Sequence, residues 1–75
     1  YDNGEWSRFD LLPYAPLQLD HCSKVLHYGQ EIFEGMKVFR HPDDSIHMFR
    51  PEMNARRFNM SAKRMAMPTI PEELF

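Results

Sequence analysis

The side chains with a reactive type and a suggestive spacing fall in three places. Glu31 and Glu34 stand three apart in the run Leu26-His27-Tyr28-Gly29-Gln30-Glu31-Ile32-Phe33-Glu34-Gly35-Met36-Lys37-Val38-Phe39-Arg40, a separation that could provide an acid and a base. Carboxylates in a connecting segment more often cap backbone or meet solvent, so no catalytic role is assigned to them. Cys22 lies beside His21, with His27 five residues on. Neither the paired spacings of a zinc site nor a defined base for a catalytic thiol accompanies it, so no metal is expected. The third place is Arg57. A guanidinium is a rigid fork of donors suited to phosphate or carboxylate, and it is strongest where water is partly excluded.

The elements around these residues are legible to different degrees. Gly29 and Gly35 both permit positive φ or close backbone approach, so the run between them reads as a folded connection leading into a strand. Tyr28 and Phe33 could line a site there, or simply tuck into a core beside a turn. Upstream, Trp6, Phe9, Leu11 and Leu12 are followed by Pro13 and Pro16, and Glu5 to Leu12 is expected to be an extended edge segment. Gln18 to His21 continues extended, Asp20 to Lys24 makes a turn, and Val25 to His27 is expected to be extended again. Met36 to Arg40 and Ile46 to Arg50 have strand spacing and flank the turn formers His41-Pro42-Asp43-Asp44-Ser45, which predicts an antiparallel hairpin.

Pro51 fits the first helical position with Glu52 in the first turn, and Asn54 to Met67 is free of glycine and proline until Pro68. At about 100° per residue, Phe58, Met65, Ala62, Ala55 and Ala66 form one apolar band and Met53, Met60 and Met67 a second. Arg56, Asn59 and Lys63 fill one gap as an ordinary solvated face. Asn54, Arg57, Ser61 and Arg64 fill the other. A surface helix needs only one polar face, so this second strip is expected to face something polar inside an assembly. For Arg57 two readings follow from the residues alone: a head that reaches water or a neighbouring carboxylate over a stem packed on methionine, or an anion site. The fold class expected is α+β, an antiparallel sheet with a packed helix.

Composition narrows the field. With 75 residues the chain is at most one small domain, able to bury only about 60% of its unfolded surface. The single cysteine excludes an internal disulfide framework. There is no apolar run near ~20 residues and no charged-then-apolar leader, so neither a membrane partner nor a signal peptide is expected, and the expected compartment is cytoplasmic. A formal net charge of −2 with dispersed basic residues argues against nucleic acid. Gly-x-Gly-x-x-Gly and Walker-type loops are absent. The chain opens at Tyr1-Asp2-Asn3-Gly4 without methionine and closes at Pro71-Glu72-Glu73-Leu74-Phe75, where a helix is expected to start with Pro71 at its first position. Both ends are therefore expected to be truncations, with residues 1–75 a fragment of a longer protein.

Two words carry a resemblance to a known family. "HYGQEIFEGMK" and "FRPEMNARRFNMSAKRMAMP" resemble, in order, the two N-terminal signatures of the branched-chain amino-acid aminotransferases, class IV pyridoxal-phosphate enzymes. The resemblance covers about Leu26 to Phe75. It implies most of the small N-terminal domain of that fold, and transfer of the amino group of leucine, isoleucine or valine to 2-oxoglutarate. It implies pyridoxal 5'-phosphate as cofactor, amino acids and 2-oxo acids as small-molecule partners, and a homodimer or higher homo-oligomer. Asn54 and Arg57 match the family's Asn-x-x-Arg segment, whose arginine binds the cofactor phosphate. Tyr28 and Phe33 match positions lining the apolar substrate pocket. The lysine that bonds the cofactor lies far downstream in the family, so Lys24, Lys37 and Lys63 are not it. No catalytic residue is expected in this chain, and the isolated chain is expected to be inactive. Two rivals stand beside this reading. One is another class IV enzyme, a D-amino-acid aminotransferase or aminodeoxychorismate lyase. The other is a non-enzymatic interaction module using its methionines as a contact surface.

Overall fold

A left-handed glycine sets the first corner of the chain. In the computed structural model, which describes all 75 residues, Val25 to His27 is helical rather than extended, inside the short helix α1, Lys24–Tyr28. Ser23 stands at its N-cap position, and the Ser23 carbonyl accepts the Leu26 N–H. Gly29 closes it with φ 57°, a conformation that is costly for a residue bearing a Cβ. Serine before the run and glycine after it are the punctuation of a helix, and they outweighed the β-branched Val25. Gly35 differs from Gly29. It does not adopt a left-handed φ, and a Cβ placed there would meet nothing within 4 Å, so nothing within this chain requires glycine at that position.

The hairpin forms where the turn residues place it. Strand β1, Val38–Arg40, pairs antiparallel with β2, Ile46–Met48, in the register Val38 to Met48, Phe39 to His47 and Arg40 to Ile46. Both strands are shorter than the sequence pattern suggests. Within the loop, the Ser45 hydroxyl and N–H both donate to Asp43 Oδ1, at 2.6 and 3.1 Å. These bonds hold the Asp43 carboxyl below its ordinary range. Glu5 to Leu12 and Gln18 to His21 form no regular strand. The N-terminal arm is instead closed at its start by an Asp2–Glu5 bridge and tied to the far end of the chain by Trp6 Nε1, which donates to the Thr69 carbonyl at 2.7 Å.

Helix α2, Pro51–Arg64, begins at the proline as the pattern predicts. The corner between β2 and α2 is Arg50, a non-glycine residue at φ 46°. At the other end the helix stops before Met67. Ala66 is left-handed at φ 53°, the Met67 N–H reaches the Ala62 carbonyl at 2.8 Å, and the Ala66 N–H reaches that of Lys63 at 3.2 Å. This is a Schellman closure with alanine in the place glycine usually takes. Pro68 drives Met67 out of the helical region and so ends the helix early. Gln30 Nε2 donates to the Met65 carbonyl at 2.9 Å, satisfying a group the helix end leaves without a partner.

The solvated face expected for Arg56, Asn59 and Lys63 is instead partly covered. Asn59 is half-buried, accepting from the Ile70 N–H at 3.0 Å and donating to the Ile70 carbonyl at 2.8 Å. Arg56 reaches Glu72 at 3.6 Å, and the Phe58 ring lies 5.6 Å from that of Phe75. The segment after Pro68 thus folds back along α2 and ends in a single 3-10 turn, Glu72–Leu74, with Pro71 at its cap position rather than inside it. The architecture is α+β, with a two-stranded antiparallel sheet and a packed helix.

The core is small. Only Ala55 and Ala62, both on the apolar band of α2, are fully buried. Large apolar side chains along the arm and the hairpin, among them Leu11, Leu12, Leu17, Phe39 and Phe49, are exposed. The Cα radius of gyration is 15.6 Å, against about 11 Å for a close-packed chain of this length. Exposed apolar surface drives association where it is extensive. The isolated 75-residue chain is accordingly expected to self-associate in sedimentation velocity; a compact, stable monomer would contradict this account of its surface.

Candidate functional site

The second polar strip of α2 meets its polar partner within the chain, and that partner is Glu34. Arg57 Nε donates to Glu34 Oε2 at 2.6 Å, and Arg57 Nη2 donates to Oε1 of the same carboxylate. Asn54, three residues before Arg57 and so on the same helix face, donates through Nδ2 to Glu34 Oε1 at 3.2 Å and to the Gly35 carbonyl at 2.9 Å. The Gly35 N–H adds a bond to Oε1 at 2.9 Å. Glu34 is therefore not a solvated group: its side chain is 4% exposed, covered by the guanidinium it holds. Sequence reasoning had set it aside with Glu31. The signal that could have found it was pairwise, an arginine on a strip that should not face water and an uncommitted carboxylate in a glycine-bounded connection.

The electrostatics follow from that geometry. The Arg57 bonds first, and then those from Gly35 and Asn54, lower the Glu34 pKa from 4.5 to about 2, with partial desolvation opposing them. Hydrogen bonding to Glu34 and its charge raise the pKa of Arg57. Because the folded-state value of Glu34 lies below its ordinary one, the contact stabilises the fold fully above about pH 4.5. That stabilisation is lost as pH falls toward 2.

Arg57 keeps an open edge. Its side chain is 68% exposed. The carboxylate takes the side of the guanidinium formed by Nε and Nη2, and of the five N–H groups an arginine carries the two on Nη1 and the outer one on Nη2 meet no acceptor in the chain. Arg57 also lines an open concavity with Met60, Ser61, Arg64 and Met65. The methionine flanks expected beside Arg57 are present. Arg64 makes no ion pair, so with Arg57 neutralised by Glu34 the concavity keeps a net positive charge.

Tyr28 and Phe33 lie near this arrangement without sharing one cavity with Arg57. Tyr28, 84% exposed at the end of α1, lines a second concavity with Lys24, Gln30 and Ala66. It adjoins the first through Arg64 and Met65, which line both. Phe33 is 91% exposed and lines no concavity, but its backbone is fixed by the anchored Glu34 that follows it. Asp20, His21 and Cys22 bring three ligand types within 4.8 Å, all exposed. Their clustering comes from a turn in which Asp20 Oδ1 accepts the Cys22 N–H at 2.7 Å.

Known proteins resemble the chain in sequence. The chain is 56% identical over 74 residues to the branched-chain-amino-acid aminotransferase of Mycolicibacterium smegmatis, which covers 99% of this chain and 20% of that protein. It is 48% identical over 75 residues to the branched-chain-amino-acid transaminase 1 of Bacillus subtilis, and 50% identical over 70 residues to the cytosolic branched-chain-amino-acid aminotransferase of Saccharomyces cerevisiae. Along its whole length this chain is similar to branched-chain-amino-acid aminotransferases. It spans about a fifth of the length of these relatives. No protein-family model matches the chain. Carboxyl carbon NMR of Glu34 in the folded protein should titrate with a midpoint near 2 and move back toward the ordinary range in Arg57→Ala. A midpoint near 4.5 in the unaltered protein would mean that the carboxylate is not held as described.

Proposed function

We propose that residues 1–75 form part of the small N-terminal domain of a pyridoxal-phosphate-dependent branched-chain-amino-acid aminotransferase. Such an enzyme moves the amino group of leucine, isoleucine or valine to 2-oxoglutarate. Identity of 43–56% to proteins bearing that activity in their names supports the reading. The observation that carries it to a site is the open edge of Arg57. The donor set fits a phosphate: Arg57, with three guanidinium N–H groups that meet no acceptor in the chain, Ser61 and the unpaired Arg64 line one concavity, and a doubly charged phosphate is favoured where cations are in excess. When bound, the cofactor supplies an electron sink for the carbon that loses its amino group.

The residues of this chain then bind and orient rather than react. Arg57 holds the phosphate. Tyr28 and Phe33 present rings to an aliphatic side chain, which gains roughly 0.8 kcal/mol for each methylene taken out of water, and they exclude water from it. Lys24, Lys37 and Lys63 are all exposed and lack the desolvated setting that a cofactor-bonding lysine needs. That lysine belongs to another part of the protein, and the isolated chain is inactive as a transaminase. Exposed apolar surface on the arm and hairpin supports assembly into a homo-oligomer. The cytosolic relative from yeast, and the absence of any helix long and apolar enough to cross a membrane, support a cytoplasmic location.

In the full-length protein, Arg57→Ala should weaken retention of pyridoxal phosphate roughly tenfold or more, the loss expected on removing hydrogen bonds to a charged group. Arg56→Ala, about 100° around the helix and turned toward Glu72, should leave retention almost unchanged. Equal losses in equilibrium dialysis would contradict the assignment.

A further inference from the structure

A carboxylate beneath a phosphate-binding arginine poses a problem of sign. Glu34 carries the charge of the ligand that Arg57 is proposed to hold, and it sits on that arginine with a nearly buried side chain. On net charge alone it should weaken anion binding. Its geometry argues otherwise. Glu34 occupies only the Nε side of the guanidinium and so competes for none of the three N–H groups on the outer edge. Asn54 and the Gly35 N–H hold the carboxylate from the helix and from the connection at once. A long arginine side chain on a helix surface loses rotamer freedom when it is fixed. If that ordering is already supplied in the folded protein, the ligand need not supply it on arrival.

We propose that Glu34 is a positioning residue for the phosphate site, with Asn54 as its support, and that it turns the outer edge of Arg57 toward the ligand. The proposal rests on Arg57 binding phosphate. It also ties the pocket to the connection, since the residue that orients Arg57 directly follows Phe33. A change in the cofactor grip would be felt at the ring proposed to touch the substrate.

Pyridoxal phosphate carries the phosphate and pyridoxal does not, and the internal hemiacetal of free pyridoxal is the same for every variant, so the change between variants in the ratio of their dissociation constants reads this site. That ratio is to be measured on the cofactor-free full-length protein, unaltered and as Glu34→Gln, Asn54→Ala and Arg57→Ala. Glu34→Gln should cut the preference for the phosphorylated form by about tenfold with pyridoxal binding unchanged, and Asn54→Ala should do the same to a smaller extent. Should Glu34→Gln fail to fold, Asn54→Ala, which leaves every charge in place, carries the test. Loss of preference in Arg57→Ala alone, with the other two merely less heat-stable, would overturn the proposal and leave Glu34 as a staple between connection and helix. Tighter binding of pyridoxal phosphate by Glu34→Gln would overturn it too, because the carboxylate would then be a competitor. An unchanged preference in Arg57→Ala would instead remove the phosphate assignment itself, and the positioning role with it.

Discussion

The structure depends on one nearly buried carboxylate. Glu34 takes two bonds from Arg57, one from Asn54 and one from the Gly35 N–H. An ionised group covered to this degree is tolerable only when its lone pairs are filled. Those donors come from two segments that share no regular hydrogen-bond ladder, the connection after α1 and the helix α2. With a core of two alanines, apolar packing does little to hold them in register, so the polar network does it.

That constraint explains the arrangement on α2. The helix has three working faces. Ala55 and Ala62 are the only residues it buries, on a band whose Phe58 meets Phe75; Asn59 and Arg56 receive the returning C-terminal segment; Asn54 and Arg57 receive the connection. Each long-range hydrogen bond joins side chain to backbone or side chain to side chain, because the chain offers only three-residue strands for pairing. Fixing Glu34 also fixes the backbone beside Phe33, and Gln30 fastens the start of the same connection to the end of α2. Tyr28 and Arg57 are thereby held on adjoining concavities.

Much of this was legible in the sequence, and the rest was not for physical reasons. The hairpin followed from turn formers at 41–45, and the start of α2 from Pro51. Two helical faces with polar residues left Arg57 between a head reaching water or a neighbouring carboxylate and an anion site; the structure shows the neighbouring carboxylate, Glu34. The short helix α1 was missed because Val25, Leu26 and His27 satisfy a strand pattern over so few residues, and the deciding residues, Ser23 and Gly29, lie outside the run. The role of Asn59 was missed because its partner is backbone at Ile70, which no side-chain pattern reveals. Glu34 was set aside since burial of a carboxylate is a property of a pair. Neither half of the pair announces it alone.

In the proposed site, Glu34 and a phosphate share Arg57 on different edges. Proton–nitrogen spectra of the Arg57 guanidinium in the full-length protein, before and after saturation with pyridoxal phosphate, test it most directly. The account predicts an Nε–H signal that stays hydrogen-bonded and nearly unmoved while the Nη1 protons shift and slow their exchange. If the Nε–H signal moves instead and the Glu34 carboxyl is released, the phosphate replaces the carboxylate and the account is wrong.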